Sequence, residues 1–186
     1  MTLTIDRILS LFETRGFEQY GSEPVSQTEH ALQCAALAES NNATADLITA
    51  ALLHDLGHLL HGLGEYHLDD GVDDEHQYIA LPFLRDLYSE AVLQPIRMHV
   101  DAKRYLCAVE PGYWDSLSQA SQRSLELQGG TFTPSHAKAF VAQPYGPDSV
   151  KLRRWDDLAK LDGRKTPPLV HFAGYLRACS RMTEPA

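Results

Sequence analysis

Cysteine is scarce in this chain of 186 residues: Cys34, Cys107 and Cys179 are the only three, and they form no tight spacing motif. That excludes a clustered thiolate metal site, and an odd count without a signal peptide fits reduced thiols in a cytoplasmic protein. Positive charge is short as well. Lys and Arg number 16 against 25 Asp and Glu, a net charge of −9, which argues against a nucleic-acid-binding surface. No apolar run approaches the roughly 20 residues that a bilayer crossing needs. Nor does any β-branched stretch alternate as a strand would, so no sheet is expected. What is present, 44% hydrophobic and 22% charged residues, suits one compact domain with its own core.

Helical spacing dominates the chain. Ile5, Ile8, Leu9, Leu11 and Phe12 repeat at helix intervals after a capping Thr4. A loop from Gly16 to Pro24 precedes a helix that opens at Ser26 or Thr28 and runs through Ala38, with His30 and Cys34 on one face. Residues 44 to 60 read as one further helix carrying His54, Asp55 and His58. A Gly- and Asp-rich loop, 62 to 74, follows it. Helices are then expected over 75–87, 89–108, 117–127, 134–142 and 149–159, with Pro82 and Pro95 kinking or bounding two of them. A short helix at 169–179 closes the pattern. The expected fold class is all-α, a single helical bundle spanning 1–186.

Within this pattern, His30, His54, Asp55, His76, His99 and Asp156 form a metal-ligand series. Any one of them alone would read as an ordinary core or surface residue. Together, spread over successive helices with an adjacent His-Asp pair ending the apolar run Leu47–Leu53, they read as a metal site. Adjacent helix residues point about 100° apart, so His54 and Asp55 are not expected to chelate one ion side by side. A mononuclear centre needs only His30, His54, Asp55 and Asp156. A dinuclear centre uses all six, with Asp55 bridging.

The order H…HD…H…H…D resembles the HD-domain superfamily in its dinuclear branch. Further strings sharpen the likeness: Tyr20-Gly-Ser-Glu23, Gln27-Thr-Glu-His30, Ala50-Ala-Leu-Leu-His-Asp-Leu-Gly-His58, His99-Val-Asp-Ala-Lys-Arg-Tyr-Leu106, Leu125-Glu-Leu-Gln-Gly-Gly130 and Arg153-Arg-Trp-Asp156. Over about residues 20–160 the chain is similar to the small HD-domain oxygenases that cleave phosphonates, with 161–186 as a C-terminal extension. The resemblance implies a mixed-valent Fe(II)/Fe(III) pair and O2 as co-substrate. The implied reaction is oxidative cleavage of an (R)-1-hydroxy-2-(amino or trimethylammonio)ethylphosphonate to phosphate plus glycine or glycine betaine. His30, His54 and Asp156 would hold one iron, His76 and His99 the other, with Asp55 shared.

The resemblance also implies substrate residues. Lys103, four after His99, and Arg153, three before Asp156, share a helix face with a ligand and match phosphonate-binding cations. Ser121 matches a hydroxyl on the phosphonate, and His58 a histidine near the C1 hydroxyl. Tyr20 and Glu23 match a loop pair at the substrate's amino end. Tyr66, Asp69, Asp70, Asp73 and Asp74 fall near the same place in sequence but read equally as solvated loop. Glu29 is either a support for His30 or a solvated helix residue. The implied partner is a small organophosphonate, with no nucleic acid and no membrane. An HD-domain metal-dependent phosphohydrolase acting on a phosphate ester is the competing activity. A metal-retaining sensor domain is the competing non-enzymatic class.

Overall fold

The computed structural model describes residues 3–61 and 75–181. Among these it contains helices and no strand, only an isolated bridge between Gln19 and Ser26. Helix α1 (Ile5–Arg15) starts where Thr4 accepts a hydrogen bond from the Arg7 amide. Helix α2 (Gln27–Ser40) opens with a capping box in which Ser26 and Glu29 bond each other's backbone amides. Glu29 is therefore a capping residue on the exposed side. Support for His30 comes instead from the Ala159 carbonyl.

The helix expected over 44–60 is two. Helix α3 (Ala45–Leu53) ends at His54, and α4 (Leu56–His61) begins after Asp55. The break falls at the His-Asp pair, whose side chains nonetheless meet, with His54 Nε2 3.2 Å from Asp55 Oδ2. The stretch expected as 75–87 is likewise divided, into α5 (His76–Ile79) and α6 (Leu81–Leu84), with Pro82 in the opening turn of α6. The long α7 (Glu90–Val109) tolerates Pro95 near its start. Helices α8 (Tyr113–Ser116), α9 (Gln119–Leu127) and α10 (Pro134–Val141) lead to α11 (Gly146–Leu158), and α12 (Leu169–Ala178) closes the chain.

Helices α2, α3, α7 and α11 pack on one another at the centre. Ala31, Ala35, Ala38, Ala50 and Ala51 are buried, and their small side chains let α2 and α3 approach closely. Ile8, Phe12, Leu52, Leu53, Leu84, Tyr88, Ile96, Leu152 and Phe172 fill the main core around them. Trp155, next to Asp156, packs in that same core. A smaller cluster of Met98, Ala102 and Phe140 seats α10 on α7. Gly57 marks a close approach of two backbones, since a Cβ there would sit 2.2 Å from the His76 carbonyl oxygen. The absence of that side chain lets α4 lie against α5 and bring His76 inward.

Candidate active site

Six buried residues meet where these helices converge. His30 comes from α2, His54 and Asp55 from the α3–α4 bend, His76 from α5, His99 from α7 and Asp156 from α11. Asp55 lies between two halves. Its Oδ2 is 3.2 Å from His54 Nε2 and 3.5 Å from His30 Nε2, while its Oδ1 is 3.4 Å from His76 Nε2 and 3.6 Å from His99 Nε2. His30, His54 and Asp55 make one trio able to hold a metal ion, and Asp55, His76 and His99 make a second. Asp156 stands just outside the first, its Oδ1 3.5 Å from His30 Nε2.

The donor set fits a pair of divalent or trivalent ions. His30, His54 and His99 each turn Nδ1 to a backbone carbonyl, of Ala159, Ala51 and Ile96, at 2.7–2.8 Å. Those carbonyls fix Nδ1 as the N–H and leave the lone pair on Nε2, the tautomer that ligates metals. The Nε2 atoms of His30 and His54 are 3.2 Å apart, those of His76 and His99 3.0 Å. Two nitrogens each about 2.1 Å from a shared ion and about 90–100° apart lie about 3.0–3.2 Å from one another. Both oxygens of Asp55, and Oδ1 of Asp156, are buried without a hydrogen bond. Orphaned carboxylate oxygens cost several kcal/mol each in such surroundings unless a cation meets them.

Without an ion, protons do part of that work. Burial opposes charge on His54, yet the Asp55 carboxylate beside it, with Asp156, raises its pKa to about 9. Burial drives His30 down to about 4, and burial with the neighbouring His76 drives His99 to about 3. Burial resists ionisation of Asp156, but Arg153 outweighs it and holds the carboxyl well below the usual range.

Over the first trio the Tyr20 ring stacks on His30, centroids 3.9 Å apart and 9° from parallel. Burial, then the charges of Asp55 and Asp156, push the Tyr20 phenol well above its ordinary pKa, so it stays protonated. His58 stacks on His76 at 4.3 Å and meets the edge of Tyr20 at 6.4 Å. The loop holding Tyr20 is tied down by bonds from its own amide to Val25 O and from the Gln27 amide to Glu18 O.

Beside the metal residues lies a cluster of cations and hydroxyls. Lys103 is buried and donates to Ser124 Oγ at 2.6 Å and to Ser121 O at 3.4 Å. Arg153, also buried, bonds Asp156 Oδ2 at 2.8 Å and pairs with Asp157, which in turn accepts from the Tyr113 hydroxyl. Ser121 turns its hydroxyl to Lys160 Nζ, 3.1 Å away; the cap of α9 is Ser118 instead. Lys160 also pairs with Glu23 at 3.1 Å. Of the substrate residues expected from the sequence, Tyr20, His58 and Arg153 contact the six-residue cluster directly, while Ser121 joins Glu23 through Lys160 and lies beside Lys103. Tyr66, Asp69, Asp70, Asp73 and Asp74 lie outside the described residues.

Sequence reasoning missed Ser124, Lys160, Tyr113 and Asp157. Ser124 stands three after Ser121 on α9, so helical spacing from Ser121 could have found it; Lys160 lies beyond the end of α11, where helical spacing from Asp156 no longer applies.

A helical array that breaks at a His-Asp pair and converges four histidines and two carboxylates defines an HD-type metal site. The chain belongs to the HD-domain family, whose model matches residues 28–129. Among its relatives is the hydroxymethylphosphonate dioxygenase of Gimesia maris, 43% identical over 179 residues, covering 94% of this chain and 88% of that protein. Another is the glycine-betaine-forming [1-hydroxy-2-(trimethylamino)ethyl]phosphonate dioxygenase of Leisingera caerulea, 37% identical over 169 residues and covering 91% and 86%. The resemblance to phosphonate oxygenases drawn from the motifs is thereby borne out. Among the described residues no helix is long and apolar enough to cross a membrane.

Proposed function

We propose that this protein is a di-iron oxygenase that cleaves the carbon–phosphorus bond of a small 1-hydroxyphosphonate, with dioxygen as the oxidant, in the cytoplasm. The observation that carries the reading is the juxtaposition of a divided His/Asp cluster, shared through Asp55, with two buried cations one helix face away. Oxygen- and nitrogen-donor sites of this kind suit iron. When bound, the iron pair supplies the redox chemistry by which dioxygen oxidises C1. The overall change, R-CH(OH)-PO3H2 + O2 → R-COOH + H3PO4, balances without an outside reductant.

The chain's own residues bind and orient. His30, His54, Asp55 and Asp156 would hold one metal, and His76 and His99, with Asp55, would hold the other. Lys103, Arg153 and the hydroxyls of Ser121 and Ser124 bind the phosphonate. The planar guanidinium also keeps Asp156 ionised and turned to the metal. His58 faces the C1 hydroxyl. Tyr20 covers the cluster and keeps water from it. The test is phosphate release by iron-loaded protein from hydroxymethylphosphonate and its 2-amino and 2-trimethylammonio homologues. Release is expected in air and not under argon, and equal release from phosphate esters under argon would make the protein a hydrolase.

The cationic cluster carries a pH dependence. Burial, then the neighbouring Arg153 and Lys160, lower the Lys103 pKa to about 7, against opposing pulls from Asp156 and Asp157. A depressed lysine destabilises the empty fold fully below pH 7, and that penalty fades as pH climbs toward the unfolded value of 10.5. Anion binding runs the other way, because it needs the ammonium. Affinity of the metal-loaded protein for methylphosphonate, measured by calorimetry without dioxygen, should fall about tenfold per unit above pH 7 until the neutral-amine complex takes over. Lys103→Arg, charged throughout, should flatten that slope; an equally steep slope in the variant would remove Lys103 from the phosphonate site.

A further inference from the structure

Glu23 is the carboxylate expected to meet a cationic substrate nitrogen, and it already has an ammonium partner. Lys160 Nζ lies 3.1 Å from Glu23 Oε1, 3.1 Å from Ser121 Oγ and 5.7 Å from the centre of the Tyr20 ring. The Lys160 and Glu23 side chains are only 13% and 14% exposed, so this is not a loose surface pair. Its position is built. Lys160 lies two residues beyond α11, and the backbone on either side is pinned to α2. His30 Nδ1 bonds Ala159 O at 2.8 Å, while the buried Gln33 bonds both the amide and the carbonyl of Leu161, at 3.1 and 2.9 Å. These ties hold the backbone from which the Lys160 side chain reaches both Glu23 and Ser121.

We propose that Lys160 is a tethered ammonium that fills the cation subsite at Glu23. This chain then favours a 1-hydroxyphosphonate with no cationic substituent, of which hydroxymethylphosphonate is the smallest. The inference rests on the phosphonate-oxygenase reading. A substrate ammonium entering this pocket must displace Lys160 from a mostly buried ion pair, leaving one of two positive charges without its partner. The lysine also holds the advantage of an intramolecular ligand, since its effective concentration is on the order of millimolar or more. A trimethylammonium group has no N–H with which to replace the two bonds that Nζ donates to Glu23 and Ser121. A neutral substituent meets none of these costs, and its phosphonate gains a third cation through the Ser121 hydroxyl.

The test compares hydroxymethylphosphonate with 1-hydroxy-2-aminoethylphosphonate and its trimethyl analogue on iron-loaded wild type, Lys160→Met, Lys160→Arg and the double variant Lys160→Met/Glu23→Gln. Two readouts are taken: kcat/KM for phosphate release in air, and dissociation constants by calorimetry without dioxygen. In wild type, the uncharged substrate is expected to lead in both. Lys160→Met should shift both ratios toward the cationic substrates by roughly tenfold or more, about 1.4 kcal/mol or above. Lys160→Arg should keep the wild-type order, and the double variant should lose what Lys160→Met gained. Ratios that stay within twofold across the four proteins would overturn the proposal even with oxygenase activity intact. If no protein releases phosphate in air, the oxygenase reading fails, and the binding ratios still decide whether Lys160 guards the cation subsite.

Discussion

Asp55→Ala is expected to empty both halves of the metal site. The two Asp55 oxygens each face a different pair of imidazoles, so one truncation removes a ligand from each proposed ion. Metal content by elemental analysis should fall to a small fraction of wild type. Dioxygen-dependent phosphate release should drop on the order of a thousandfold or more, as for residues that act as a unit. His99→Ala serves as the contrast, since His99 belongs to the second trio alone: one metal should be kept and one lost. If Asp55→Ala retained two metals per chain, the shared-carboxylate arrangement would be wrong. If it lost only one, Asp55 would serve a single ion.

Arg153→Met should be the most damaging change in the substrate pocket, for reasons of stability as well as binding. The guanidinium is 4% exposed as a residue and engages both Asp156 and Asp157. Methionine fills much of its volume and leaves Asp156 and Asp157 without the guanidinium that pairs with both. Breaking a buried pair from one side costs about 3–5 kcal/mol, which in a chain of this size lowers Tm by about 10 °C. Methylphosphonate affinity should fall in parallel. Thermal unfolding of the metal-free protein isolates the electrostatic part, and Arg153→Lys should recover some of the loss in Tm but little of the affinity, because an ammonium lacks the planar fork. A Tm within 2 °C of wild type for Arg153→Met would show that Asp156 and Asp157 do not depend on this cation.

The residues that form the site were legible because metal ligands are rare types with strict chemistry, and the helical period places each on its own element. His30, His99 and Asp156 needed nothing else. His54 and Asp55 were legible as residues but not in geometry, since neither Gly nor Pro marks the break between α3 and α4 and the 3.2 Å approach of their side chains is seen only in the structure. The approach of α4 to α5 at Gly57 belongs to tertiary packing. Glu29 was ambiguous because a carboxylate next to a ligand and a carboxylate three after Ser26 are the same residue; the capping box decides between them. Least legible was the partner of Glu23. The pairing with Lys160 joins positions 137 residues apart, through a backbone turn that only the Gln33 bonds reveal.

The central claim is oxidative cleavage of a carbon–phosphorus bond, and the most direct measurement follows oxygen uptake and phosphate together. Iron-loaded protein is given hydroxymethylphosphonate in a closed cell with no added reductant. One dioxygen consumed per phosphate released, with no phosphate under argon, is the result that the balance of the reaction predicts. Phosphate released from an ester at the same rate with and without dioxygen, and none from the phosphonate, would contradict the account and make the cluster a hydrolytic one.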